Sequence, residues 1–231
     1  MVSTDPMLLQ TEDSKKRAEA IREMLSDPTR LRDSCEGAVT EALRATDAAN
    51  VALQRVRTEC VEALALWRNE LEATLADLPV PQSVFRSRVS ERGILSLCRR
   101  MARMERLLRE MGALFARFSE VLVLCSRADA LRCSAASLIG QSLYEASQVG
   151  KELDLPELHS SAERIESSVA ECARECRQMR DAWSGFCFEE LPVFLQEARR
   201  VADLAGEGEK SDLAALRKLL GDVRHRSEGV F

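Results

Sequence analysis

The sequence has few aromatic residues, few residues that interrupt helices and no long apolar run. Aromatic residues make up 4% of the chain, and only six prolines and ten glycines occur among 231 residues. Strands depend on β-branched and aromatic side chains, whereas the Ala, Leu, Glu and Arg that dominate here favour helices. The composition therefore argues against a mainly β protein, and the rarity of proline predicts long helices.

Signals for membrane insertion, secretion and nucleic-acid binding are also missing. The nearest thing to an apolar run, residues 121–125, is far shorter than the ~20 residues that a membrane-spanning helix needs. Asp5, Glu12 and Asp13 precede any hydrophobic run, which matches neither a secretory signal nor a transit peptide. The 33 basic and 38 acidic residues give a mixed surface with a net charge of −5. We therefore expect a cytoplasmic protein with no nucleic-acid partner, and a membrane partner is the less favoured alternative.

Residues suited to catalysis or cofactor binding are scarce. The chain has two histidines, His159 and His225, both in polar surroundings, and it has no glycine-rich phosphate loop. Cys172 and Cys176 lie one helical turn apart, but no second pair of ligands would complete a tetrahedral zinc site. The eight cysteines are better explained as thiols of a reducing compartment, several of them at apolar helical positions. The sequence predicts no enzyme, no metal and no cofactor.

An apolar repeat at alternating steps of three and four residues is the clearest positive feature. It comprises Ile94, Leu97, Met101, Met104, Leu108, Met111, Phe115, Phe118 and Leu122, and it continues to Cys125. We call this stripe the seam. A helix with such a heptad repeat must bury its stripe against another helix, because exposure would forfeit roughly 1.5–3 kcal/mol per side chain. Asp129 and Arg132 meet the stripe after Cys125, so we expect the stripe to shift to Ala128, Leu131, Ala135, Leu138 and Ser142, with a kink or a stutter there.

Two further long helices are expected on either side of the seam helix. Asp27-Pro28 predicts a helix start, and no further proline occurs until a predicted reversal at 79–83. A third long helix is predicted from Pro156, with a bend near Trp183–Pro192. The expected organisation is a short amphipathic helix in 1–27, a bundle of three long helices in 28–205, and a linker with a short helix in 206–231. The fold class is all-α, an elongated antiparallel bundle or coiled coil.

Arginine is concentrated at the start of the seam helix. Eight arginines lie between residues 86 and 109, interrupted only by Glu91 and Glu105. Their side chains could bind an anionic partner, and the candidate surface comprises Arg92, Arg99, Arg100, Arg103, Arg106 and Arg109. They could equally pair within the chain with acidic residues of the preceding helix, which are Glu59, Glu62, Glu70, Glu72 and Asp77. The sequence leaves both interpretations open.

Three apolar stripes without a catalytic set favour a non-enzymatic scaffold or assembly subunit. We expect protein partners that bind through helical seams, in a homo- or hetero-oligomer. The layout, with an N-terminal amphipathic segment, three long helices and the basic cluster Arg86–Arg109, resembles the BAR-domain plan. That resemblance covers the general layout and implies a crescent-shaped dimer that presses a basic face onto anionic lipid.

Overall fold

The computed structural model describes residues 6–77, 91–206 and 213–230, with side chains at 14–77, 95–200, 203 and 216–230. This part of the chain is almost entirely helical and contains no strand, which confirms the all-α prediction. Its helices are α1 (Pro6–Met24), α2 (Pro28–Asp77), α3 (Glu91–Ala113), α4 (Phe115–Gln148), α5 (Pro156–Ser184), α6 (Leu191–Gly206) and α7 (Leu213–Ser227), with a π-helical turn, Gly185–Glu190, between α5 and α6. The reversal predicted at 79–83 lies outside the described residues.

The boundaries of α2 and α4 follow from residues with special backbone behaviour. Pro28 opens α2 at the position where a missing N–H costs nothing, and the Asp27 carboxylate accepts a hydrogen bond from the Arg30 N–H. α2 then runs for 50 residues, as predicted. Gly150 follows the end of α4 with a φ of 67°, a left-handed conformation that glycine adopts without strain. Within the described ranges, no helix combines the length and the apolar character needed to cross a bilayer.

The helices group into two compact units, of which the first comprises Met1–Val51 and Val121–Arg174. Ile21 and Leu25 at the end of α1 share a buried cluster with Leu31 and Ala146. The Arg22 guanidinium lies 2.7 Å from the carboxylate of Glu145, whose side chain is only 5% exposed. This ion pair connects α1 to α4 at the edge of the buried cluster.

Cysteine side chains mark two further helix contacts of the first unit. The Cys35 thiol on α2 lies 3.8 Å from the Ser142 hydroxyl on α4. Together with the Leu31–Ala146 cluster, this contact shows that α2 and α4 run in opposite directions here. The thiols of Cys125 on α4 and Cys172 on α5 are 3.6 Å apart and buried. Cys35, Cys125 and Cys172 therefore serve as small core residues in this unit.

The second unit comprises Ala52–Glu120 and Glu175–Phe231. Its core contains Trp67 of α2, whose fully buried ring makes edge contacts with Phe186 and Phe194 at centroid distances of 6.1 and 6.4 Å. α3 packs against α6, and α6 packs against α7. A short ion pair between Arg224 of α7 and Glu72 of α2, 2.8 Å long, lies at the surface of this unit.

The seam helix is interrupted at Leu114, and it has no kink after Cys125. The predicted shift of the stripe is confirmed, because Ala128, Ala135 and Ser142 are buried. α3 ends at Ala113, and α4 runs from Phe115 to Gln148 as one α-helix. No break is needed after Cys125, because Asp129 pairs with Arg132 at 2.8 Å along the helix surface. At the actual break the Leu114 N–H bonds to the Met111 carbonyl, which also accepts the indole N–H of Trp183 at 3.0 Å. A side chain of α5 therefore stabilises the interruption.

The bend predicted near Trp183–Pro192 corresponds to the π-helical turn Gly185–Glu190. Pro192 lies just after this turn, where its missing N–H cannot complete a regular α-helical ladder. The Leu191 N–H instead reaches back to the Phe186 carbonyl, five residues earlier. Phe186 and Cys187 are buried, whereas Phe188 is 51% exposed.

Candidate interaction surface

The seam is buried within the chain itself. Leu97, Met101, Met104, Met111 and Phe118 are buried, and Leu108, Phe115 and Leu122 are half-buried. The side chain of Ile94 lies outside the described residues. The alternation of three and four residues therefore identifies which side of α3 and the start of α4 faces inward.

Helices of the second unit cover the seam. The Thr74 hydroxyl of α2 points at the Met104 sulfur across 3.9 Å, and the Cys176 thiol of α5 donates to the Phe118 carbonyl at 3.5 Å. Trp183 bonds to the Met111 carbonyl, as described above. In the second unit the apolar face of this helix is thus occupied by α2 and α5.

The arginine cluster divides into members that pair with α2 and members that do not. Arg100 lies 2.7 Å from the Asp77 carboxylate and 3.5 Å from that of Glu70. Arg103 lies 3.4 Å from Glu70. The intramolecular interpretation thus describes Arg100 and Arg103, and these contacts show that α3 runs antiparallel to the adjacent part of α2. Further along, Arg117 lies 3.9 Å from Glu59.

The other cluster arginines face solvent. Arg106 makes only a long contact of 3.8 Å with Glu110 along its own helix, and both side chains are about two-thirds exposed. Arg99 and Arg109 are exposed and form no ion pair or hydrogen bond within the described part of the chain. Arg92 has no described side chain, and Arg86 and Arg88 lie outside the described residues.

These solvent-facing arginines share a stripe opposite the seam, which we call the α3 outer face. The stripe repeats every three or four residues and consists of Leu95, Arg99, Ala102, Arg106 and Arg109, all exposed. One flank of the helix is held to α2 by Arg100. The other flank meets α6 through Glu105, whose carboxylate lies 3.2 Å from Arg199. The outer face therefore points away from both neighbouring helices of this unit.

An exposed aromatic ring lies beside the last turn of α3. Phe188, in the π-helical turn, packs against Phe115 with its ring centroid 5.6 Å away in an edge-to-face geometry. The ring also covers Gly112, where an added Cβ would come within 3.3 Å of it. This contact brings a half-exposed Phe188 to the end of the outer face. The sequence indicated a bend near Phe188 but gave no sign of which side of α3 its ring would contact.

A shallow hollow of about 120 Å³ separates α3 from α6 next to the outer face. It is lined by Cys98, Met101, Ala102, Glu105, Arg199 and Asp203. Ala102 belongs to both the hollow and the outer face. Glu105 and Arg199 already pair with each other, so the hollow adds to the surface a small recess that is lined in part by the exposed Cys98.

The remaining candidates for chemistry are dispersed. His159 and His225 are 60% and 90% exposed, and each lies 3.5 Å from a glutamate three or four residues later in the chain. The described residues contain no group of three His, Cys, Asp or Glu side chains that could hold a metal ion. Burial raises the pKa of the Cys60 and Cys187 thiols to about 12, which keeps both protonated and unreactive at neutral pH.

Comparison with models of known protein families, with curated proteins and with solved structures gives no significant match.

Proposed function

We propose that the chain is a non-enzymatic helical scaffold or assembly subunit that binds other proteins through exposed helix faces. In this proposal the helices of each unit form an antiparallel bundle that supports the binding surface in the cytoplasm. The antiparallel contacts of α2 with α4 in the first unit, and with α3 in the second, support the bundle. All eight cysteines lie in described segments and none forms a disulfide, which suits a reducing compartment.

The observation that carries this proposal is that one side of α3 is buried while the opposite side is exposed. Its inner side is fully engaged by the chain's own helices. Its outer side carries Arg99 and Arg109, which form no ion pair with the described residues, and Arg106, which makes only a 3.8 Å contact with Glu110. Arginine and aromatic side chains are enriched in protein interfaces, and the outer face offers arginines with the half-exposed Phe188 beside its last turn. A helix that is held on one side and charged on the other is suited to recruit a partner.

A membrane-curvature role of the BAR type would use the same arginines. Lipid-binding segments usually present clusters of about four to eight basic residues. Only Arg99, Arg106 and Arg109 remain without an α2 partner among the described cluster side chains, because Arg100 and Arg103 pair with α2. Glu110 lies beside Arg106 on the same helix and lowers the local positive charge. A protein partner is therefore the better match to this surface.

Photocrosslinking from four helices would test the scaffold proposal. A photoreactive amino acid replaces one exposed alanine on each of α2, α3, α4 and α5, namely Ala48, Ala102, Ala130 and Ala170. The full chain is expressed in its native cells, irradiated and analysed by mass spectrometry. We expect the same partner protein to be crosslinked reproducibly from at least one position. A chain that remains monomeric and crosslinks to no protein from any position would contradict a scaffold role.

A further inference from the structure

We infer that the α3 outer face docks an amphipathic helix of a partner protein whose central residues are acidic. This inference rests on the proposed scaffold function and specifies where the partner binds and which chemistry it presents. It is carried by the spacing of the outer face, its unneutralised charge and the half-exposed Phe188 at its end.

The spacing of the outer face suits a second helix. Its residues follow one another at steps of four, three, four and three, and Ala113 continues the pattern. This is the heptad spacing along which two helices pack side by side. From Leu95 to Ala113 the face is about 27 Å long at 1.5 Å per residue, which matches about five turns of a partner helix. Ala102 in the middle lets the partner backbone approach closely.

The positive charge of the outer face favours a partner with acidic residues. Arg99 and Arg109 form no ion pair with the described residues, and Arg106 makes only the 3.8 Å contact with Glu110, so all three guanidinium groups face solvent. Aspartate or glutamate on a docked helix would form charge-assisted hydrogen bonds with them, and arginine binds carboxylates in a two-pronged geometry. A basic or neutral helix would leave these charges partly desolvated and unpaired. Acidic residues are therefore expected opposite the middle of the face.

Apolar side chains lie at the two ends of the outer face. Leu95 is 57% exposed at the start of α3, and Phe188 is 51% exposed beside its last turn. The Phe188 ring is fixed by its contacts with Phe115 and Gly112, so little side-chain entropy is lost when a partner covers it. The partner helix is therefore expected to have apolar residues near both ends and acidic residues between them.

Crosslinking from Ala102 identifies the segment that covers the outer face. The full chain with the photoreactive residue at position 102 is irradiated in its native cells, and the crosslinked peptide is sequenced. We expect a helical segment of another protein with net negative charge. A crosslink to lipid, to a second copy of this chain or to a neutral or basic segment overturns the inference, and so does the absence of any crosslink.

The segment found in this way is then synthesised and its affinity for the full chain is measured at about 50 and 300 mM NaCl. The variant Arg99→Gln/Arg106→Gln/Arg109→Gln should bind about tenfold more weakly or worse at low salt, and its affinity should depend less on salt. A matched control, Arg44→Gln/Arg127→Gln/Arg177→Gln, removes three exposed arginines elsewhere and should bind like the wild type. Equal losses of peptide affinity in the two triple variants would overturn the inference, because they would show that the affinity depends only on the net charge of the chain.

A second variant tests the apolar end of the face. Phe188→Ala should weaken peptide binding several-fold at both salt concentrations, because it removes an uncharged contact.

Vesicles with about 30 mol% phosphatidylserine test whether the outer face binds membranes instead. Binding of the wild type to these vesicles, lost in the Arg99→Gln/Arg106→Gln/Arg109→Gln variant, would assign the face to membranes and overturn the inference. Protein crosslinks from Ala48, Ala130 or Ala170 without any from Ala102 would overturn it and leave the scaffold proposal standing.

Discussion

A carboxylate placed in the middle of the seam should unfold the second unit. Met104 is 0% exposed, and the nearest polar group on α2 is the Thr74 hydroxyl, which already donates to the Glu70 carbonyl at 2.7 Å. Met104→Asp would therefore bury a charge beside Arg100, the cation one turn earlier, which is already paired with Asp77 and Glu70. The exposed position Ala102, two residues away on the same helix, provides the control Ala102→Asp.

The free energy of unfolding that Met104→Asp is expected to remove is comparable with that of a whole domain. Truncating a buried methionine costs about 2–5 kcal/mol, and a buried unpaired carboxylate adds several kcal/mol. Domains unfold at a cost of about 5–15 kcal/mol, so Met104→Asp should leave the second unit largely unfolded near neutral pH. Ala102→Asp should change the free energy of unfolding by about 0.5 kcal/mol or less, because its carboxylate stays in water near Arg99 and Arg106.

Tryptophan fluorescence during urea unfolding provides a local readout. The chain has two tryptophans, Trp67 and Trp183, and both are 0% exposed in the same unit as Met104. Met104→Asp should shift their emission to the red before urea is added. The carboxyl introduced by Met104→Asp would have a folded-state pKa raised above its unfolded value of about 3.9. The lost stability should therefore return as the pH falls through that raised pKa. A Met104→Asp variant as stable as Ala102→Asp at neutral pH would refute the burial of the seam.

Three further predictions concern the two buried tryptophans, two buried cysteines and the turn at Gly150. Trp183→Phe should destabilise the second unit by about 1 kcal/mol more than Trp67→Phe in urea titrations, because only the Trp183 indole N–H gives up a main-chain hydrogen bond while that of Trp67 has none. The pKa values of about 12 for Cys60 and Cys187 exceed the unfolded value of about 8.5. Stability should therefore fall as the pH rises from about 9 towards 12, and less steeply in a variant with both cysteines changed to alanine. Gly150→Ala, at a φ of 67°, should lower the free energy of unfolding by about 1 kcal/mol in thermal denaturation. No difference between the tryptophan variants, between the pH profiles or between Gly150→Ala and the wild type would contradict the respective argument.

Periodicity and proline positions were sufficient to predict the helices. Pro28 gave the start of the 50-residue α2, and Pro156 gave the start of α5. The inward positions of the seam were also readable, because apolar side chains at heptad spacing can be buried together on only one side of a helix. These features are local and depend on backbone geometry and the hydrophobic effect.

The details that depend on neighbouring helices could not be predicted. The break at Leu114 depends on an indole N–H supplied by Trp183, which lies 72 residues away. Likewise, the charge pattern did not reveal that Arg100 would reach Asp77 while Arg99, its neighbour in sequence, faces solvent. Consecutive residues point about 100° apart on a helix, so the division of the cluster depends on where α2 lies.

Hydroxyl-radical footprinting of the isolated chain tests the central claim, that α3 is buried on one side and free on the other, most directly. Methionine is far more readily oxidised than leucine or phenylalanine when water reaches it. We predict that Met101, Met104 and Met111 are protected, whereas Leu95 and Phe188, which are about half exposed, are modified at a substantial fraction of their rates in the urea-unfolded chain. Methionines oxidised as fast as in the unfolded chain, together with protected Leu95 and Phe188, would contradict the account.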